Sequence, residues 1–443
     1  MLHEIQPLNR EEIQLIDGKA LRSILREKIQ PQVQTPKIVS SASVSHGFEQ
    51  TERTEAFSEE LSCHSCLFFD IETTGLSADT SFVFLIGCIY QEDGKWNRHQ
   101  FCIRLVQEER LLLSSFFEMA KKARFLIHFN GNTFDIPFIE KRAAANGLCP
   151  CFDGLLSIDL YQRFRPLRRI LNLPHMNQSF LEKYIGWERE DKLSGKEVVS
   201  LFWNYASFQK TDSEKTHAPG TDHIPAAQTT GQLLLRHNRD DLLGMLHVLK
   251  MEAYHLLFCG EILPDISEKI ADDSSNSASH LRIDFPLILP LPRPLTLKKM
   301  LSESEPSTAI ILSADSSSGV LTIPLFHGTL RYYIPDHKNY YYLPLERQAI
   351  HKSVASYVAK EYRVPATPET CCIEKSGCFL PLPKISSASD FSAFLKDRPL
   401  FRENYEAKQV YFEYSEEIRQ QKGLILTYTK TLLKDTLRGS SIE

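Results

Sequence analysis

The hydrophobic and polar positions between about residues 65 and 260 follow two periods in turn. Apolar runs of strand length alternate with stretches in which apolar residues recur at helical spacing. Strand patterns lie at 67–71, 82–90 and 98–105, a helical pattern follows at about 108–122, and strand, helix and strand recur between 125 and 159. This order predicts an α/β fold with a mixed sheet, which opens with three antiparallel strands and continues with parallel βα units.

The first 262 residues divide into two predicted regions. Residues 1–60 carry a helical pattern at 10–29 and then a polar stretch without periodicity, which predicts a helix and a linker. Residues 61–262 contain the α/β pattern. Within them, residues 207–230 are rich in Thr, Ser, Pro and Gly, so they predict a mobile insertion between two helices.

The pattern changes after the α/β region. Residues 263–281 include an Asp- and Ser-rich run and predict a linker, and residues 282–443 predict an additional C-terminal α+β domain with a helix around Ala349–Ala355. This domain has tyrosines and basic residues at Tyr332, Tyr333, Tyr340, Tyr341, Tyr342, His351, Lys352 and Arg363. They are consistent either with a surface that stacks single-stranded bases or with a tyrosine-rich core.

Length and composition narrow the class of protein. The 443 residues, 42% of them hydrophobic, exceed a typical single domain, and the net charge of −5 does not resemble that of a nonspecific nucleic-acid coat. The apolar stretch Phe82–Tyr90 is too short to span a bilayer, and the N-terminal residues lack the apolar core of a signal peptide. We therefore expect a soluble, cytoplasmic protein with no membrane partner.

Cysteine usage agrees with a reducing compartment. The sequence has ten cysteines, and no disulfide framework is implied. Cys63 and Cys66 have the spacing of a zinc-binding pair, but the sequence contains no second pair of this kind. Reduced structural cysteines are the simpler interpretation.

Three acidic clusters follow predicted strands or begin predicted helices. Asp70 and Glu72 end the apolar run 67–71 and, being two residues apart on a strand, project to the same face. Asp135 follows the apolar run 125–127 and an Asn-Gly-Asn turn, where a strand passes into a helix. Asp241 lies near the start of a helical pattern at 240–249. Four carboxylates brought together in this way would form a cage for divalent metal ions.

This donor set suits phosphodiester hydrolysis. Magnesium prefers oxygen ligands, and two ions roughly 3.5–4 Å apart bracket the attacking and leaving oxygens in two-metal hydrolysis. We therefore expect two Mg²⁺ or Mn²⁺ ions at Asp70, Glu72, Asp135 and Asp241.

The residues in and around these clusters resemble the motifs of a known group of enzymes. The motifs Asp70–Leu76, His128–Pro137, Ile158–Leu160 and Ser179–Gly186 are similar to those of the YprB-type RNase H-like family, within the DEDD superfamily of 3′–5′ exonucleases. The resemblance covers roughly residues 65–260. It implies an RNase H-like fold, and it implies that the four carboxylates are the metal ligands.

The fifth catalytic position departs from that superfamily. Its tyrosine subclass has Tyr four positions before the last Asp, and its histidine subclass has His five positions before it, whereas His237 stands at the tyrosine spacing. The resemblance implies that His237 orients or deprotonates the attacking water, a task that suits imidazole because its pKa lies near neutrality.

Several other residues are candidates for the site. Asp240 competes with Asp241, and the Asn-x-x-Asp motif favours Asp241, while Asp159 either faces the site or caps the following helix. Four residues are predicted to bind substrate: Thr74, Asn130, Arg163 and Arg165.

The sequence thus predicts a divalent-metal-dependent nuclease, most simply a 3′–5′ exonuclease that acts on the 3′ end of single-stranded DNA or RNA. Two alternatives stay open: a nucleic-acid binding module that keeps the fold without turnover, and a structure-selective endonuclease.

Overall fold

The computed structural model describes residues 1–33, 65–150, 152–207, 226–273, 278–301, 309–383, 390–396 and 398–439. The chain falls into two compact units. The first consists of Met1–Arg168 and Leu173–Glu252, and the second of Arg169–Asn172 and Ala253–Glu443. Most of the predicted linker at 31–60, most of the predicted insertion at 207–230, and Cys63 lie outside the described residues.

The first unit is built on a six-stranded sheet. Its strands are β1 (Leu2–Pro7), β2 (Cys66–Thr73), β3 (Val83–Glu92), β4 (Lys95–Cys102), β5 (Phe125–His128) and β6 (Leu156–Asp159). They lie in the order β1-β4-β3-β2-β5-β6. β1, β4, β3 and β2 pair antiparallel, whereas β5 and β6 run parallel to β2. The predicted mixed sheet with flanking helices is confirmed.

The helices described up to residue 258 lie between and after these strands in the sequence. They are α1 (Arg10–Gln14), α2 (Gly18–Val33), α3 (Glu109–Ala120), α4 (Asp135–Ala145), α5 (Leu160–Phe164), α6 (Leu167–Ile170), α7 (Gln178–Tyr184), α8 (Gly195–Ser207), α9 (Ala226–Val248) and α10 (Glu252–Phe258). The sequence predicted one helix at 10–29, and this was wrong in part. Asp17 accepts hydrogen bonds from the amides of Lys19 and Ala20, so a second helix begins there.

Strand β3 is buried on both faces, which explains why its sequence is continuously apolar. Val83 to Tyr90 are all buried, because α3 packs on β3 and so does α9. Phe84 stacks on Phe202 of α8 with ring centroids 4.3 Å apart. Burial of this strand fixes the neighbouring β2, which carries Asp70 and Glu72.

The second unit is rich in antiparallel strands. A five-stranded sheet has the order β7-β8-β11-β10-β9, formed by β7 (Ser267–Asp273), β8 (Ala278–Pro286), β9 (Leu295–Met300), β10 (Ala309–Ala314) and β11 (Ser318–Pro324). Two three-stranded sheets use β12 (Phe326–Tyr333), β13 (Tyr340–Leu343), β14 (Gln348–His351), β15 (Val364–Pro365), β16 (Cys372–Pro381) and β17 (Tyr411–Glu413). The helices are α11 (Lys352–Ala355), α12 (Asp390–Leu395), α13 (Glu416–Arg419) and α14 (Lys422–Gly439).

Two predictions for this unit were wrong. The predicted linker at 263–281 contains β7 and the start of β8, which pair antiparallel. β7 lies at the sheet edge and is largely exposed, so its sequence lacks the apolar alternation of a buried strand. The helix predicted around Ala349–Ala355 is divided between β14 and the short α11, because Gln348–His351 pair with β13.

The tyrosines of this unit have mixed environments. Tyr340 and Tyr342 pack against a small core, and Tyr332 packs against another. Tyr341 lies between two cations, with Lys352 Nζ 5.6 Å and Arg363 Cζ 5.0 Å from its ring centroid. The core interpretation therefore fits three of the five tyrosines.

Among the described residues, none of the helices combines the length and the hydropathy that crossing a bilayer requires.

Candidate metal centre

The four predicted carboxylates converge from three elements. Asp70 and Glu72 lie on β2, where they pair with Gly87 and Leu85 of β3, and Asp135 is the first residue of α4. Asp241 lies on α9, which packs against β2. Burial, followed by the charges of Asp241, Glu72 and Asp135, raises the pKa of Asp70 well above its usual range. The structure therefore places all four at one site.

The position of Asp241 within its helix differs from the prediction. The sequence placed it near the start of a helix at 240–249, whereas α9 begins at Ala226. The first turns of α9 contain polar residues and Gly231, so no helical pattern of apolar residues is visible there in the sequence. A Cβ atom at Gly231 would lie 3.0 Å from the Tyr205 ring of α8, so glycine allows α9 to approach α8 closely there.

His237 faces two of the carboxylates. Its Nε2 lies 3.5 Å from Glu72 Oε1 and 3.4 Å from Asp241 Oδ2, and one ligand atom from each of these three residues lies within 4.8 Å of the others. Its Nδ1 lies 2.5 Å from Asp191 Oδ2. Burial alone would lower the pKa of His237, but the surrounding carboxylates outweigh it and raise the pKa.

Asp240 and Asp241 have separate roles. Asp240 is buried, accepts a hydrogen bond from the Asp191 amide at 2.8 Å and pairs with Arg239 at 2.8 Å. It thereby fixes Asp191, which in turn contacts His237. Asp241 faces Glu72 and His237, so the arrangement favours Asp241 as the ligand, as predicted from the motif.

Asn238 holds Asp70 from the side of α9. Its Nδ2 donates to Asp70 Oδ2 at 3.0 Å, and its Oδ1 accepts from Gln100 Nε2 at 2.9 Å. Asn238 is completely buried, so both hydrogen bonds compensate for lost water contacts. This close approach requires Gly87, because a Cβ atom there would lie 1.9 Å from Asn238 Oδ1.

We expect Gly87→Ala to destabilise the protein by about 1–3 kcal/mol or more, because the new methyl group also meets Leu242 Cδ1 at 2.8 Å. Urea unfolding measures the change. Gly195→Ala is the matched control, since a Cβ atom at Gly195 meets nothing within 4 Å. Equal stability of the two variants would contradict the tight contact between Asn238 and β3.

Arg189 joins Asp241 to a second buried acid. Its Nη1 lies 2.6 Å from Asp241 Oδ1, and its Nε and Nη2 form a fork on Glu182 at 2.5 and 2.8 Å. Gln178 donates from Nε2 to Glu182 Oε1 and to the backbone oxygen of Asp241. Burial opposes the charge of Arg189, but Glu182 and Asp241 outweigh it and raise the pKa of the guanidinium.

The charge balance of the site fits a divalent cation. Burial raises the pKa of Glu72 to about 8 against the opposing effect of His237, and burial raises the pKa of Asp135 to about 7. Arg189 is the cation that lowers the pKa values of both Asp70 and Glu72. Carboxylate oxygens are the donors that Mg²⁺ prefers and that also suit Mn²⁺. A divalent cation would offset the remaining repulsion among these acids.

We expect the metal-free protein to lose thermal stability as the pH rises. The folded pKa values of Glu72 and Asp135, about 8 and about 7, lie above the usual values of 4.5 and 3.8 for these side chains. The folded state therefore binds more protons than the unfolded state, and the free energy of unfolding falls between about pH 4 and pH 8. Melting curves in chelator at several pH values measure this slope.

Two comparisons test the cause of that slope. Asp135→Asn should flatten it, and Mn²⁺ should raise the melting temperature more at high pH than at low pH, because the ionised carboxylates bind the cation. A melting temperature that rises with pH in chelator would contradict the raised pKa values of Glu72 and Asp135.

Asp159 caps a helix and supports the loop before Asp135. Its Oδ1 accepts from the amides of Asn130 and Tyr161 at 2.9 and 3.0 Å. Asn130 has a φ of +65°, a left-handed conformation that asparagine tolerates. The capping alternative for Asp159 is therefore the observed one, and Asn130 fixes the loop through its backbone.

The other predicted substrate contacts have different placements. The hydroxyl of Thr74 accepts a hydrogen bond from the Phe82 amide at 3.1 Å, so it braces the end of β2. Arg165 is exposed. Arg163 pairs with Glu252 at 2.6 Å and with Glu27 at 2.7 Å, which corrects its assignment as a phosphate contact because its guanidinium is already paired.

Sequence reasoning missed four supports of the site, namely Arg189, Asp191, Gln100 and Gln178. Asp191 and Arg189 lie outside the acidic clusters, between α7 and α8. The signal that could have found them is the charged run Glu188–Lys192, which is unusual for an ordinary connection between two helices. Gln100 occupies a buried position on β4, where a polar residue requires a partner.

Comparisons with known proteins agree with this fold. A family model described as the RNase H superfamily matches residues 67–252. No curated protein matches the chain.

Several solved structures are similar to the chain at low identity. The family B DNA polymerase from the hyperthermophilic archaeon Pyrobaculum calidifontis is 14% identical, with 84% of this chain and 46% of that chain covered and a TM-score of 0.31. The Nibbler EXO domain of Aedes aegypti is 14% identical, with 49% and 94% covered and a TM-score of 0.22. The zinc-bound ExoI–ssDNA complex of E. coli is 12% identical, with 84% and 70% covered and a TM-score of 0.24.

The chain thus spans about half the length of the polymerase that it matches. The family match covers β3 to β6 and nearly all of β2, whereas β1 lies outside it. Residues 67–252 therefore have an RNase H-like fold, and they are similar to the RNase H superfamily.

Proposed function

We propose that this chain is a divalent-metal-dependent nuclease, a 3′–5′ exonuclease on single-stranded DNA or RNA of the YprB-type DEDD group. The observation that carries the proposal is the convergence of Asp70, Glu72, Asp135 and Asp241 beside His237. Buried acids with raised pKa values are costly to the folded state unless a ligand uses them. Asp70, Glu72, Asp135 and Asp241 would hold Mg²⁺ or Mn²⁺, which supplies positive charge for the phosphate and lowers the pKa of bound water.

The protein residues position the attacking water. Asp191 accepts a hydrogen bond from the Nδ1–H group of His237, which fixes the tautomer and leaves Nε2 directed at Glu72 and Asp241. The attacking water gives one proton to Nε2 as its oxygen bonds to the phosphorus in line, and the bond from phosphorus to the 3′ oxygen of the preceding nucleotide breaks. That leaving oxygen takes up a proton from the solvent. Asn238 keeps Asp70 in place during this step, and Arg189 and Gln178 keep Asp241 in place.

The test uses the full chain with Mn²⁺ or with chelator. The substrates are 5′-labelled linear single strands, and circular single strands, of DNA and of RNA. We expect a ladder of shortened products from linear substrate, only with the metal. Cleavage of circles would identify an endonuclease. Binding without cleavage under every metal would identify a recognition module, and either result would overturn the proposal. The comparison of DNA with RNA shows which of the two nucleic acids the protein cleaves.

Asp191→Asn is expected to lower kcat by about 10- to 100-fold with little change in KM, because the amide no longer holds the tautomer of His237. The pH profile should also change on its acidic side, since Asp191 helps to raise the pKa of His237. Glu190→Gln is the matched control, because Glu190 is exposed and pairs with Arg239. Equal activity of both variants would remove His237 from the proposed mechanism.

A further inference from the structure

A groove of about 530 Å³ lies in the first unit next to the metal centre. We call it the side groove, and the lining residues that matter here are Phe129, Asn130, Tyr161, Arg168, His175 and Gln178. Its volume lies within the range of about 300–1,000 Å³ that is typical of small-molecule sites.

Two lining residues of the side groove neighbour the residues of the metal centre. Gln178 donates to the backbone oxygen of Asp241 at 2.7 Å. Asn130 lies in the loop that leads into Asp135. A polymer whose end reaches the carboxylates could therefore continue into the side groove.

The walls of the side groove offer aromatic surface. Phe129 and Tyr161 meet edge to face with centroids 5.9 Å apart, and both are partly exposed. His175 is exposed and rests on Phe180 at 5.7 Å. Aromatic rings in an open groove stack unpaired bases of any sequence, whereas bases in a duplex already stack on each other.

Arg168 supplies a positive charge at the rim. Its Nη2 donates to the Pro174 oxygen at 2.9 Å and its Nε to the Leu173 oxygen at 3.3 Å. These bonds orient the guanidinium but leave its charge uncompensated, because within the described part of the chain Arg168 forms no ion pair. Arg163, five residues earlier, is by contrast paired with two glutamates.

We propose that the side groove is the subsite for the nucleotides that precede the cleaved one in a single strand. Arg168 binds a backbone phosphate, and the walls formed by Phe129, Tyr161 and His175 stack the bases. The position of these nucleotides relative to the cleaved bond rests on the proposed nuclease function. The binding of a single strand to the side groove is a separate prediction.

Binding is measured with the full chain and a fluorescein-labelled single strand of about ten nucleotides, in Ca²⁺ so that cleavage does not interfere. We expect Arg168→Gln to weaken binding about tenfold. It should also reduce the slope of log K against log salt concentration by about 0.7, the amount for one phosphate contact on a single strand. Arg110→Gln, which removes an exposed arginine that also donates to a backbone oxygen, that of Asn146, and that lies outside the groove lining, should change neither quantity. His175→Ala should weaken binding without changing the salt slope.

Cleavage kinetics separate this subsite from the metal centre. Arg168→Gln should raise KM for the oligonucleotide but leave hydrolysis of bis(p-nitrophenyl) phosphate unchanged, because that diester is too small to reach the side groove. An equal loss on both substrates, or variants at Arg168 and Arg110 that behave alike, would overturn the subsite. If the wild type cleaves nothing while Arg168→Gln alone weakens binding, the nuclease proposal fails and the binding groove stands.

Discussion

Replacing Asp70 with asparagine is expected to abolish metal-dependent cleavage and leave the fold intact. Asparagine has the same shape and still accepts a hydrogen bond from Asn238, so packing around β2 is retained. It removes the charge of the carboxylate that interacts with all three other acids of the site. We expect a loss of at least about 10³-fold in kcat/KM, which corresponds to about 4 kcal/mol at the transition state. Initial rates with Mn²⁺ on a labelled single strand measure it.

Asp93→Asn is the control for this substitution, because Asp93 is exposed in the turn between β3 and β4. In chelator at high pH, Asp70→Asn should melt at a higher temperature than the wild type, because one repelling charge is gone. A variant that kept a tenth of the activity or more would show that Asp70 is not a metal ligand.

Arg189→Ala should have the largest effect on stability. It removes the partner of Glu182, which is 1% exposed, and one partner of Asp241. Removing one member of a buried ion pair costs about 3–5 kcal/mol, because the remaining charge has neither water nor a counter-ion. Urea unfolding near neutral pH measures the loss, and the Mn²⁺ concentration needed for half-maximal activity reports the altered position of Asp241.

The double variant Arg189→Met, Glu182→Met separates stability from function. It replaces both buried charges, so most of the lost stability should return, whereas activity should stay low because Asp241 lacks its support. Gly244 gives a second comparison, since a Cβ atom there would lie 1.9 Å from Glu182 Oε1 and Gly244→Ala would displace the same acid. A stable Arg189→Ala single variant would mean that Glu182 is not paired as described.

The sequence predicted most of the sheet because its strands are buried. β2, β3 and β5 are short apolar runs, which survive as a pattern whatever lies around them. β1 was not predicted, since most of its residues are partly or fully exposed and its pairing with β4 joins distant parts of the chain. β7, at the edge of the five-stranded sheet, was not predicted as a strand either, because it is also largely exposed.

The site residues divide in the same way. Asp70, Glu72 and Asp135 could be placed from local patterns, because each follows an apolar run at a strand end. Asn238 contributes an amide that only the packing of α9 on β2 directs at Asp70. Arg163 was assigned to substrate from its charge alone, since nothing local shows that Glu27 and Glu252 approach it. Tertiary neighbours of this kind have no signature in a single sequence.

The arrangement of the centre on β2, α4 and α9 has a consequence for biosynthesis. β2 is translated early, whereas α9 follows after the whole of β3 to α8. A nascent chain that ends before α9 has Asp70 and Glu72 in place but lacks His237, Asn238 and Asp241. The proposed activity therefore arises only when the last helix of the layer has left the ribosome and docked. Incomplete products of translation would contain the strands of the sheet but would lack the proposed activity.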